Sequence, residues 1–164
     1  MRASDFDRLY AEHAQGLFGF LAYRTGDRSE AEDLVAETFE AAFKAHRRFD
    51  PRRAGERTWL YAIALNRLRD HARRRGAERR ALERVGVDPT GHVAEPLERI
   101  EERDLLARGM ASLTDEEREC VALRFGGDLT LKEIAGVLGE PMTTVEGRVY
   151  RALRKLRSEL GERG

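Results

Sequence analysis

The sequence predicts an all-α chain: two helical domains joined by a flexible linker, the second a four-helix domain ending in a helix-turn-helix. Three observations carry that prediction. No segment sustains the apolar–polar alternation of a half-buried strand, whereas apolar residues recur at helical spacing almost throughout. Four times, Ser or Thr is followed three residues later by Glu (Ser29/Glu32, Thr114/Glu117, Thr130/Glu133 and Thr143/Glu146), the signature of a capping box at a helix start. Finally, the run GVDPTGHVAEP, from Gly86 to Pro96, is turn chemistry from end to end. It divides the chain into residues 1–80, a linker over 81–96 and residues 97–164.

In the first domain, Asp5 to Thr25 places Phe6, Leu9, Tyr10, Leu17, Phe18, Leu21 and Ala22 at helical spacing, with Gly26 and Asp27 as the break. Gly16 costs that helix about 1 kcal/mol relative to alanine, which predicts a kink or a close helix–helix contact there. The next helix opens at the Ser29 box and turns Leu34, Val35, Thr38, Phe39, Ala42 and Phe43 inward. Glu30, Glu32, Asp33, Glu37 and Glu40 spread over the remainder, read by themselves as a solvated acidic face. Residues 47–57, RRFDPRRAGER, form a loop through Pro51 and Gly55, with Phe49 expected as a core anchor.

Thr58 to Arg75, TWLYAIALNRLRDHARRR, organises this domain. Trp59 to Leu65 is an unbroken apolar run, which as helix is buried nearly all round. Beyond it Leu68 and Ala72 continue one stripe while Arg67, Arg69, Arg73, Arg74 and Arg75 crowd the rest, and Asp70 is the only carboxylate in the run. Thr58 is the expected N-cap and Gly76 the expected stop. A basic rod without compensating charge, extended by Arg47, Arg48, Arg52, Arg53 and Arg57 of the loop, suits phosphates. A solvated helix end is the alternative. The formal net charge of the chain is zero, yet residues 47–84 hold 13 basic and 5 acidic side chains, against 5 and 9 in residues 1–46 and 4 and 10 in residues 85–120. That asymmetry fits a polyanion on one face and a cationic partner on another.

In the second domain Leu97, Ile100, Leu106, Met110 and Leu113 form one apolar stripe, and the last three capping boxes open three helices. The final pair fits a helix-turn-helix. Ile134 and Leu138 are its anchors, Ala135 is small where the helices touch, and Gly139 permits a left-handed turn. Val145, ten residues after Ala135, plugs the second helix into the first, and Val149, Leu153 and Leu156 continue the inner face. Thr144, Gly147, Arg148, Arg151, Arg154 and Lys155 face outward. In this motif the start of the second helix enters the major groove, where arginines reach guanine edges or phosphates. A plain bundle corner is the alternative.

No residue pattern points to catalysis or to a metal. His13, His46, His71 and His92 have no mutual ligand spacing, and the single Cys120, in an apolar run and expected buried and reduced, cannot complete a zinc site. There is no Gly-rich phosphate loop. No cofactor and no small-molecule substrate are expected. No run approaches the ~18 apolar residues of a membrane span, and the N-terminus lacks an apolar leader. A soluble, cytoplasmic protein without membrane insertion is the expectation.

AEDLVAETF (Ala31 to Phe39), TWLYAIALNRLRDHARRR, and LTDEERECVALRF with LTLKEIAGVLGEPMTTVEGRVYRALRKL (between Leu113 and Leu156) resemble, in this order, the bacterial sigma factors. The similarity is to the small, two-domain extracytoplasmic-function group and covers nearly the whole chain. It implies a non-catalytic initiation subunit that binds core RNA polymerase and directs promoter-specific transcription. The first domain would grip the β′ clamp helices and help melt the −10 element; the second would read the −35 element while docked on the β flap. An anti-sigma factor is a further partner that the resemblance brings in.

By that resemblance Glu32, Asp33, Glu37 and Phe39 belong to the polymerase-binding helix. Asn66, Arg67, Asp70, Arg73 and Arg74 belong to the −10 segment, with Arg52, Arg53 and Arg57 beside them. Thr143, Thr144, Gly147, Arg148, Arg151 and Lys155 belong to the −35 helix. Asn66 and Asp70 share a helical face, so a local hydrogen-bonded pair is the alternative there. The chain departs from the family in having Ala36 where glutamine is usual, Leu65 for a frequent arginine, Glu56 where an aromatic is common, and Glu146 at a usually basic position. Glu146 is expected at the third helical position as partner of Thr143. Two other readings fit parts of the sequence: a sigma-like decoy that binds an anti-sigma factor or polymerase without DNA, and a dimeric helix-turn-helix repressor.

Overall fold

The computed structural model describes residues 2, 4–85 and 108–161, and no strand occurs among them. The elements are α1 (Asp5–Thr25), α2 (Arg28–Ala45) with a 3-10 turn at His46–Arg48, α3 (Glu56–Val85), α4 (Asp115–Val121) continuing as a π turn over Ala122–Gly126, α5 (Leu131–Leu138) and α6 (Met142–Gly161). Residues 108–111 are also helical. The linker residues 86–96 and the stripe positions Leu97, Ile100 and Leu106 lie outside the described residues.

Two capping boxes form as read. Thr114 Oγ1 accepts from Glu117 N at 3.2 Å and Glu117 Oε1 from Thr114 N at 2.8 Å; Thr130 and Glu133 do the same at 3.1 and 3.0 Å. The other two do not. Gly26 ends α1 in the left-handed region (φ 70°) and delivers Asp27 in extended geometry, so Asp27, not Ser29, caps α2 by accepting from Glu30 N at 3.1 Å. The Pro141 carbonyl accepts from Thr144 N and Val145 N at 3.1 and 3.2 Å, so α6 begins at Met142. Thr143 therefore sits inside the first turn, and Glu146 lies too far along to reach back to a cap.

The central helix is also longer than its sequence punctuation indicates. The amide of Trp59 donates to Gly55 O at 3.0 Å, which leaves Thr58 inside the first turn. Gly76 does not stop the helix. The good helix formers from Ala77 to Leu82 outweigh a single glycine, and residues 81–85, expected in the linker, belong to α3.

One apolar core runs through both sequence-defined domains. It joins Leu9, Leu17, Phe20 and Leu21 of α1, Leu34 of α2 and Leu60, Tyr61 and Leu65 of α3 to Cys120, Leu123, Leu129, Ile134 and Val145. None of the residues from Trp59 to Leu65 is exposed, as their unbroken apolar run requires. Phe49 is half-buried and packs on Trp59 with ring centroids 5.0 Å apart. Met110, Leu113, Val121 and Ala152 form a smaller cluster.

The junction between the domains is built on glycine. A Cβ on Gly19 would stand 2.2 Å from the carbonyl oxygen of Gly126, and one on Gly126 would stand 2.5 Å from that of Gly19. Helix α1 and the π turn thus meet backbone to backbone. Gly16 makes the close contact expected of it, against the Tyr61 hydroxyl.

Candidate polymerase and nucleic-acid interfaces

Helix α2 buries Ala31, Leu34, Val35, Thr38 and Ala42, and the Thr38 hydroxyl is satisfied by donating to Leu34 O at 2.7 Å. That stripe fixes what faces outward. Glu32, Asp33, Ala36 and Glu40 are exposed and Glu37 is half-buried. Glu40 pairs with Lys44 at 3.0 Å. One Glu37 carboxylate oxygen is buried and has no hydrogen-bond partner. Phe39 is half-buried against Tyr10, with centroids 4.9 Å apart, and so braces the α1–α2 contact. Ala36 lines a shallow groove with Tyr10, Phe18 and Val35.

The arginine rod divides into two sets. Asn66, Arg73 and Arg74 are exposed and Arg67 half-exposed. Asp70 accepts from Arg73, not from Asn66. Arg52 and Arg53 are exposed in a turn where Asp50 accepts from Arg52 N at 2.9 Å. The remaining arginines are committed to carboxylates of other helices, which corrects the expectation of a rod without compensating charge. Arg69 donates to both oxygens of Glu119, at 3.1 and 3.0 Å, and Arg75 pairs with Glu30. Arg57, expected beside the −10 segment, is tied up as well. Its Nη1 lies 3.3 and 3.2 Å from the two Glu133 oxygens, and its Nη2 donates to the carbonyls of Gly127 and Asp128 at 2.9 and 3.0 Å. Burial pushes the Glu133 carboxyl up, but the Thr130 amide and the Arg57 charge outweigh it and hold it below the usual range.

The helix-turn-helix is α5, the turn at Gly139 (φ 66°) and α6. Ile134 and Val145 are fully buried; Val137 is the second buried anchor, and Leu138 is only half-buried. Thr143 and Arg151 are exposed and Thr144 and Gly147 half-exposed. Arg151, Arg154, Lys155 and Ser158 line one open groove. Arg148 is less free than its position promised: its side chain is 19% exposed, 3.5 Å from Glu140, and against the Cys120 thiol. Lys155 donates to the buried Glu117 at 2.6 Å, tying α6 to the capping box of α4.

One cluster of metal-type donors does occur among the described residues: Glu12, His13 and Glu56. Arg8 already supplies its cation, donating to Glu56 at 2.8 and 3.1 Å and to Glu12 at 3.3 Å. Sequence reasoning missed Gly19, Glu119 and the role of Glu133 across the junction. Only the glycine spacing of α1 and the Gly126-Gly127 pair signalled a close approach, without naming its partner.

Comparison with known proteins agrees with this geometry. The family profile for Sigma-70 region 2 matches residues 9–78 and that for Sigma-70, region 4 matches residues 109–158. The ECF RNA polymerase sigma factor RpoE of Cereibacter sphaeroides is 32% identical over 156 residues, 94% of this chain and 86% of that protein. SigL of Mycobacterium tuberculosis is 31% identical over 160 residues, 95% and 89% of the two chains. Among solved structures, the sigma factor RpoE of Bartonella quintana in complex with the anti-sigma factor NepR shares the fold, with a TM-score of 0.75 over 97% of this chain and 98% of that one at 23% identity. With region 2 on the acidic helix and the arginine rod, and region 4 on the helix-turn-helix, the chain belongs to the ECF sigma factors of RNA polymerase and directs promoter-specific initiation.

Proposed function

We propose that the carboxylates of α2, the exposed Glu32 and Asp33 with the half-buried Glu37, dock the chain on the β′ clamp helices, with Phe39 holding α2 in place against α1. The outward-facing arginines of α3 (Arg67, Arg73 and Arg74), with Asn66, Arg52 and Arg53, take the −10 element, and Thr143, Thr144, Arg148 and Arg151 of α6 take the −35 element. The observation that carries this reading is the separation of charge by face. α2 turns Glu32 and Asp33 outward where few cations balance them. The densest sets of exposed cations lie on α3 and α6, whereas α2 exposes only Arg28 and Lys44, one at each end.

The chain acts in the cytoplasm as a non-catalytic subunit. No described helix is long and apolar enough to cross a membrane. An anti-sigma factor is the proposed antagonist, supported by the Bartonella sigma factor, whose structure was solved in such a complex. Asp33→Arg and Glu37→Arg should each abolish co-purification with core polymerase while leaving the helical circular dichroism intact. Retained binding by both variants removes α2 from the interface.

A further inference from the structure

Gly147, inside helix α6, has no reason within the fold to be glycine. Its backbone is not left-handed: among the described residues only Gly26, Asp128 and Gly139 have positive φ. No neighbouring element presses on it either, unlike Gly16, Gly19 and Gly126, where an added Cβ would collide with Tyr61 or with backbone. Glycine in a helix interior is disfavoured relative to alanine, because it has more freedom to lose on folding. A Cβ at 147 would meet a single group. Its three nearest atoms are Nη1, Nη2 and Cζ of Arg151, at 3.1, 3.7 and 3.8 Å. The Arg151 guanidinium therefore lies on the bare backbone of Gly147, one turn nearer the start of the helix, the direction in which helical side chains lean.

The two arginines near the start of α6 are held differently. Val145, Val149 and Ala152 are buried, so Thr143, Gly147, Arg151 and Arg154, three or four residues apart, form the outward stripe. Arg148 sits beside that stripe rather than on it. Its side chain is 19% exposed, 3.5 Å from Glu140 and against the Cys120 thiol. Such contacts fix α6 on the turn before it and on α4. Arg151 is exposed, and what sets its direction is the empty place at Gly147.

We infer that Gly147 is a positioning residue for −35 readout: it lets Arg151 lie forward, toward the end of α6 that enters the groove, and so present its fork to one guanine edge. This rests on the assignment of the −35 element to α6. Guanine offers two acceptors, O6 and N7, that a guanidinium meets with two donors at once, and the direction of the fork decides whether both are reached. Any side chain at 147, even a methyl, turns the guanidinium aside. The cost to the fold is small, because the end of an arginine is flexible. Arg148, drawn back by Glu140, seats the helix and attracts phosphate without preferring a base.

The test uses holoenzyme reconstituted with the full chain and a promoter fragment selected with the wild type, varied one base pair at a time across the −35 element. Arg151→Ala should erase a preference of about 5- to 150-fold, the value of one bidentate arginine–guanine contact, at a single position. Gly147→Ala should reduce the preference at that same position several-fold while its melting temperature stays at or above the wild-type value, a combination that a merely structural glycine would not give. In the double variant the preference should fall no further than in Arg151→Ala alone, as for two residues acting through one contact. Arg148→Ala should weaken binding to all fragments alike. Full preference in Gly147→Ala overturns the inference, and so does a loss at another position or one that adds to that of Arg151→Ala. A preference lost in Arg148→Ala and kept in Arg151→Ala overturns it as well. Should no variant change binding to any of the fragments, the assignment of α6 to the −35 element fails, and the role of Gly147 with it.

Discussion

Arg57 of α3 and Glu133 of α5 are separated by 76 positions in sequence, yet the guanidinium of one spans the carboxylate of the other and two backbone carbonyls at the π turn. Glu133 is at the same time the capping residue of α5. One carboxylate therefore fixes both the start of the helix-turn-helix and its seat on region 2.

Arg57→Ala should lower the unfolding free energy of the free chain by roughly 1–2 kcal/mol, since partly buried carbonyls lose a charged donor while the ion pair itself counts for little. Arg57→Lys should recover only part of this, because an ammonium cannot make the forked contact. Arg47→Ala, at an exposed position of the 3-10 turn, should change nothing measurable. Urea unfolding of the three variants checks the order.

Two glycines in helices should respond with opposite sign. Gly19→Ala drives a methyl into the Gly126 carbonyl and should cost about 1–3 kcal/mol as overpacking. Gly76→Ala meets nothing within 4 Å and should stabilise α3 by about 0.5–1 kcal/mol. Thermal midpoints moving the same way for both would contradict the placement of α1 against the π turn.

Because α6 starts at Met142, Glu146→Lys removes no cap, contrary to the capping box expected from Thr143. Its melting temperature should stay nearly unchanged, with a few tenths of a kcal/mol at most from the helix dipole. Promoter affinity should rise, with a salt dependence steeper by about one counterion. Arg151→Ala should weaken promoter binding without touching stability, whereas Arg148→Ala should lower both, since Arg148 also pairs with Glu140. Salt titrations of binding, paired with calorimetry, separate these cases.

Acid should loosen the seat of α6 on α4. Glu117 is 3% exposed; burial alone would raise its pKa, but the hydrogen bonds from Lys155 and Thr114 overcome that and hold it below the ordinary 4.5. A carboxyl depressed in the folded state adds stability that is complete above the unfolded value and is lost as pH falls through the folded one. The wild type should therefore lose thermal stability below about pH 4.5. Glu117→Gln, less stable at neutral pH, should show a shallower loss over the same range. Parallel pH profiles for the two proteins would mean that Lys155 and Glu117 are not coupled.

Much of this was legible in the sequence. The helical spacing of α1, α2 and α3, the boxes at Thr114 and Thr130 and the turn at Gly139 are local features, and local geometry fulfils them. The misplaced starts share a cause. Ser29 and Thr143 each precede a glutamate by three residues, but any helix with an acidic early turn offers that pattern. What decides the entry is the backbone before it: the left-handed Gly26 at one helix and the Pro141 carbonyl at the other. The charge accounting of the arginine rod failed for a different reason. The carboxylates that satisfy Arg57, Arg69 and Arg75 come from α5, α4 and α2, and a count along one helix cannot see across a junction. The outward set, Arg67, Arg73, Arg74 and Arg151, was readable because an apolar stripe on the same helix determines what remains outside.

Cys120, the chain's only cysteine, is fully buried, and burial pushes its thiol up to about 11. At neutral pH almost none of it is thiolate, the form that attacks maleimides and disulfides. The folded protein should therefore react slowly with thiol-directed dyes, which a labelling time course checks. Single cysteines placed at exposed positions, such as Arg47 in region 2 and Ser158 in region 4, can carry a donor and an acceptor fluorophore without replacing a core residue first. Energy transfer between them would report the separation of the two regions in real time, from free chain to holoenzyme to promoter complex.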